Sequence, residues 1–192
     1  MPRRSAIATL TLSLAVTVTL TGCSAIGAAT KPGPAASIAA TADLFAAPAM
    51  DQAVQAIAKK VGASPMKVLE LDVYSDYVQV DAVDPAKPTE VNRFTYRDGQ
   101  VQDPRPVDIS DSAPGALEQN IFDSTSIKPE VLAKLLADSP AAANIEGAKA
   151  SSAAVKRMLP FSSDIQIIVD VQGTRATKQV KATVDGKVIG ID

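Results

Sequence analysis

Twice in this chain a stretch of alternating apolar and polar residues runs up to an Asp-Gly pair. The first, "SDYVQVDAVDPAKPTEVNRFTYRDGQV", starts at Ser75 and reaches Asp98-Gly99; the second, "SDIQIIVDVQGTRATKQVKATVDGKV", starts at Ser163 and reaches Asp185-Gly186. Period two puts successive side chains on opposite faces of a strand, and Asp-Gly supplies the positive φ that a tight hairpin needs. In the first stretch, with "VLELDVY" before it, Leu69, Leu71, Val73, Val78, Val80, Ala82, Phe94 and Tyr96 take the apolar phase. Glu70, Asp72, Gln79, Asp81, Arg93, Thr95 and Arg97 take the other. In the second stretch the apolar phase is Ile165, Ile167, Val169, Val171, Val180, Ala182 and Val184. A strand set written this way folds into an antiparallel meander with one packed and one wet face. "DPAKP", residues 84–88, reads as the loop between the second and third strands.

A helix pattern precedes each meander. Met50, Ala53, Val54, Ile57, Ala58 and Val61 recur at helical spacing, and Gly62 is a natural terminator. Val131, Leu132, Leu135 and Leu136 form a second stripe, opened by Pro129 and expected to end at Pro140, where a missing N–H stops a helix. "AKASSAAVKRM", 148–158, reads as a strand because a strand stands at that place in the first half. Ser to Gly spans nearly the same number of positions in both stretches, so we expect a duplication. The fold class expected is α+β, a tandem repeat of an amphipathic helix followed by a mostly antiparallel three- to four-stranded meander. Residues 42–109 make the first unit, 110–127 a linker with a short helical turn near Leu117, and 128–192 the second unit.

This element order, with its "DGKV" ending, resembles the PepSY-type and β-lactamase-inhibitor-protein-like folds over residues 48–192. The resemblance implies small envelope domains that bind or inhibit other proteins. No family site residue is carried over, and the disulfides of the inhibitor proteins are missing.

The N-terminus speaks of address. Arg3 and Arg4 precede an apolar run from Ala6 to Leu20, the length of a secretory h-region and too short and interrupted for a spanning helix. Leu20-Thr21-Gly22-Cys23 matches the lipobox, and here the chain resembles the bacterial lipoproteins. The resemblance implies a signal peptide over 1–22, a diacylglycerol thioether on Cys23, and palmitate-class anchoring to the cell membrane or outer membrane on its extracytoplasmic side. Residues 23–41 are small and Pro/Gly-punctuated and read as a flexible tether of roughly 20–25 Å mean reach.

Function classes drop out by residue type. There is no histidine, so imidazole acid–base chemistry and histidine metal sites are excluded. Cys23 is the single cysteine, so no intrachain disulfide forms. No basic run survives loss of the leader, which argues against nucleic acid. The acidic residues show no EF-hand spacing, an S-x-x-K motif fails because Ala153 stands three before Lys156, and neither a nucleophile elbow nor a phosphate loop occurs. We therefore expect no enzyme, cofactor or metal. The leading expectation is a non-catalytic protein-binding or inhibitory module whose wet face offers Glu70, Asp72, Asp81, Arg93 and Arg97 to an envelope protein. The alternative is a carrier of a lipid or other apolar ligand.

Overall fold

The computed structural model describes residues 42–109 and 113–192; Cys23, the lipobox and the tether lie outside the described residues. These described residues fall into one compact unit. Helix α1 (Ala47–Val61) is followed by β1 (Lys67–Val73), β2 (Tyr77–Asp84), β3 (Lys87–Arg97) and β4 (Gln100–Val101). Short pieces come next: β5 (Arg105–Val107), α2 (Ala116–Asn120), β6 (Phe122–Asp123) and a 3-10 turn (Ser124–Ser126). Helix α3 (Pro129–Ala143) then leads into β7 (Lys149–Met158), β8 (Ser162–Gln172), β9 (Thr177–Thr183) and β10 (Val188–Ile191). This is an α+β fold with antiparallel pairing throughout.

The two halves share one sheet, in the order β10-β9-β8-β7-β1-β2-β3-β4, with β5 beside β3 and β6 beside β1. The joint is the β1–β7 pair, where Leu71 faces Val155 and Val73 faces Ala153. The two long helices, α1 and α3, lie on one face. Helix α1 packs on β2, β3 and β4, while α3 packs on β7, β8 and β9, and the helices touch each other. Their stripes, Met50, Ala53 and Ile57 on α1 and Leu132, Leu135 and Leu136 on α3, are buried against Leu71, Val73, Val78, Val80, Phe94, Val155, Ile167, Val169 and Val180. Gly62 ends α1 in the left-handed region at φ 80°, and Asp98-Gly99 turns the β3–β4 hairpin with positive φ at both residues.

Several sequence expectations change. Helix α3 runs through Pro140 to Ala143 and ends at Asn144, in the left-handed region. Proline forfeits one hydrogen bond to the preceding turn, but the buried Ser139 and Ala143 hold the last turn on the core. "DPAKP" is a two-residue hairpin, since Asp84 pairs with Lys87. A bulge between Val68 and Glu70 turns Val68 into the core in place of Leu69. The expected linker carries β6, which extends the sheet beside β1.

Element order repeats between the halves, but not in the phase set by the two Ser-Asp pairs. Counting from those serines matches buried Val78 to Gln166 on the opposite face; the pairing matches it to Ile167. Matched by pairing, Leu71 stands with Ala153, Val80 with Val169, and Phe94 with Val180. Strands β7 and β8 run longer than β1 and β2, so their turn lies farther from the matched pairs, and the loop before β9 is longer than the one before β3.

Candidate functional site

The face away from the helices carries the polar phase of every strand. One cross-strand row runs Lys156 (β7), Glu70 (β1), Asp81 (β2), Arg93 (β3), Arg105 (β5) through directly opposed residues. The central neighbours Glu70 and Asp81 are both acidic, an unfavourable pair on its own. Each is answered from its outer side. Lys156 Nζ donates to Glu70 Oε1 at 2.6 Å, and Arg93 donates through Nε and Nη2 to the two Asp81 oxygens at 2.7 Å each. The Asp81 carboxylate is buried, so this fork takes the place of its water.

Asp72 lies one row along, opposite Gln79 and Ala154. Among the described residues no hydrogen bond or ion pair holds its carboxyl. Its pKa is pushed up to about 7, first by burial and next by the Glu70 carboxylate, with Asp81 adding and Lys156 and Arg93 opposing. Burial pulls the Lys156 ammonium down, but the hydrogen bond and charge of Glu70 outweigh it, and the net shift is upward. Arg93 is raised by its Asp81 bond.

The third row holds Arg97. Its guanidinium lies 4.3 Å over the Tyr77 ring and bonds Asp76 at 2.9 Å, while Tyr77 stacks on Tyr74 with centroids 4.2 Å apart. Beside it opens a groove of about 560 Å³ lined by Gln79, Arg93, Thr95, Arg97, Arg105 and Asp108, among others. On the other side of the joint the same face carries Asp170, bonded by Gln179 at 2.9 Å and Ser152 at 2.9 Å. Asp170–Gln179 occupies the place that Asp81–Arg93 holds in the first half.

The structure thus brings Glu70, Asp72, Asp81 and Arg93 into one cluster and sets Arg97 beside it. It adds Lys156 and Arg105, which the sequence reading missed. Both stand in positions fixed by long-range pairing: Lys156 meets Glu70 only because β7 joins β1. The arrangement supplies fixed, paired charges and one carboxyl that titrates near neutrality. It holds no cluster of His, Cys, Asp or Glu able to grip a metal among the described residues.

No protein-family model matches this chain, and no curated protein matches its sequence. The fold is similar to the crystal structure of a "putative lipoprotein" from Clostridium difficile 630, with a TM-score of 0.55 at 13% identity. The similarity covers 74% of this chain and 91% of that one. At this identity the likeness speaks for the fold.

Proposed function

We propose that this chain is a bacterial envelope lipoprotein, anchored through Cys23 on the extracytoplasmic side, whose domain is a non-catalytic protein-binding or inhibitory module. The anchor is supported by the lipobox at Leu20-Thr21-Gly22-Cys23 and by the name of the structural neighbour. Kinship to the PepSY-type domains, and origin by duplication, belong to the same proposal; the recurring order of helix and four strands supports both.

The observation that carries the binding reading is the charged row Lys156–Glu70–Asp81–Arg93–Arg105. Paired charges held on rigid strands set electrostatic complementarity and orientation for a partner at little cost in side-chain ordering. The carrier reading draws less support, because the core between helices and sheet is filled by Met50, Ile57, Leu71, Leu132 and their neighbours.

Two experiments test the proposal. Metabolic labelling with a fatty acid should mark the wild-type chain and not Cys23→Ser; label on the variant would refute the anchor. For the domain, native mass spectrometry of the protein recovered from its own envelope should show one stoichiometric protein partner, lost in an Arg105→Glu, Lys156→Glu double variant. A copurifying lipid mass, or a partner indifferent to the double variant, would remove the reading.

A further inference from the structure

The wet face is not furnished evenly. Of the five arginines that follow the leader, three, Arg93, Arg97 and Arg105, line the groove of about 560 Å³ beside β3. Tyr77, one of the three tyrosines, lines it too. Arginine and tyrosine are the types that interfaces concentrate, because each offers a planar contact surface with a polar tip. The sheet itself does not call for these arginines. Matched by pairing, the second half sets Gln179 and Thr183 where the first sets Arg93 and Arg97, and its ladder forms equally well.

The three cations are held in place without being used up. Asp81 takes Nε and Nη2 of Arg93, and Asp76 takes Nη2 of Arg97, so Nη1 of each stays uncommitted among the described residues. The Tyr77 ring braces Arg97 from below. Arg105 is exposed, and its side chain makes no hydrogen bond or ion pair among the described residues. It stands directly opposite Arg93, a like-charge pair whose repulsion Asp81 relieves on the Arg93 side alone. Among the described lining residues there is one carboxylate, Asp108, which has an interaction of its own.

Spacing limits what such a groove can take. Arg93 and Arg97 stand four residues apart on one strand face, about 13 Å at the rise of a strand. Asp81 and Asp76 hold their guanidiniums at separate places. Between them lie Thr95 and Gln79, neutral groups able to bond a peptide backbone. One small anion cannot meet both ends. An extended peptide with carboxylates on one face can, because its own side chains repeat with the same rise. We propose that this groove receives an acidic segment of the partner protein, a step that rests on the domain being a binding module. The segment lies along β3, with one carboxylate between Arg93 and Arg105 and a second on Arg97. Guanidiniums already fixed by carboxylates and a ring lose little freedom on meeting it.

The test uses the full chain recovered from its own envelope in mild detergent, with circular dichroism to check that each variant is folded. Fluorescein-labelled octaglutamate, followed by anisotropy, should bind, and more weakly as salt rises. Diglutamate is too short to reach both ends and should compete at least about tenfold less well. Arg97→Gln and Arg105→Gln should each weaken octaglutamate binding by about fivefold or more. Arg175→Gln, on an exposed loop outside the groove, should leave it unchanged. No octaglutamate binding, equal competition by diglutamate, or equal loss in all three variants would overturn the proposal. So would tighter binding of a polyphosphate of the same charge, which would make the ligand a phosphate polymer. In native mass spectrometry, a partner released by the Arg105→Glu, Lys156→Glu double variant but kept by both Arg97→Gln and Arg105→Gln would also overturn it, and would leave the binding module standing. If no partner is recovered at all, the binding module falls and the acidic segment with it, whatever octaglutamate does.

Discussion

Asp81 and Asp72 are near neighbours on one sheet face, and they answer burial in opposite ways. Asp81 has both oxygens engaged by one guanidinium. Arg93→Ala would leave that buried carboxylate unpaired, which costs about 2–4 kcal/mol. Lys134→Ala breaks an exposed pair with Asp138 and should cost under about 0.5 kcal/mol. Urea unfolding of the two variants measures the contrast; equal losses would show that the Arg93 fork contributes no more than a surface pair. Asp72 has no such partner, and its pKa rises from 3.8 to about 7. A carboxyl that is a weaker acid folded than unfolded binds more protons in the native state between those values. Its protonated form therefore favours folding, and the domain loses stability as pH climbs from about 4 to 7, then levels off. Asp72→Asn should remove that slope and stabilise the domain at pH 8 by about 1–3 kcal/mol, allowing for partial solvent screening. Unfolding curves at pH 5 and pH 8 check both statements; a variant with the wild-type slope would clear Asp72 of the effect.

At the level of elements, α3 carries an anomaly that the core explains only in part. Ser139 sits on its packed face, in the place Ile57 takes on α1, and its hydroxyl finds no partner among the described residues. Ser139→Ala removes a buried, unsatisfied group at little loss of volume and should stabilise the domain by about 1 kcal/mol. Gly62→Ala should cost about 1 kcal/mol, because the space at Gly62 is open and only its φ of 80° resists a side chain. Thermal melts of both variants test the signs. The strands and α1 were legible because period two and period 3.6 are strong signals over seven or more residues. The end of α3 was not, since proline is a local stop and the burial of Ala143 is a tertiary fact. Strands β5 and β6 were invisible for the same reason: two or three residues show no period, and only β3 and β1 make them strands. The candidate site was half legible. Alternation put Glu70, Asp72, Asp81 and Arg93 on one face, but the cation that answers Glu70 stands 86 residues away. The repeat phase misled by one residue, and one residue is a whole face in a strand.

The whole domain turns on the β1–β7 joint. If the halves were independent, each would be a helix on a small sheet with an open inner edge, exposing Leu71, Val73, Ala153 and Val155 at that edge. Joined, these residues are fully buried, and α1 and α3 share one cluster that runs from Phe94 to Val180. A continuous core and a paired central ladder couple the halves, so we expect one cooperative unfolding transition. The sequence provides its own reporters. All three tyrosines, Tyr74, Tyr77 and Tyr96, lie in the first half, and the chain has no tryptophan. Tyrosine fluorescence therefore follows that half alone, whereas far-ultraviolet circular dichroism follows the strands and helices of both. The two signals should give coincident denaturant curves for the wild type. Ala153→Asp, which sets a charge against Val73 inside the joint, should destabilise both signals together by more than about 3 kcal/mol. A tyrosine signal that kept its wild-type midpoint while the dichroism curve split would show two autonomous halves that merely touch.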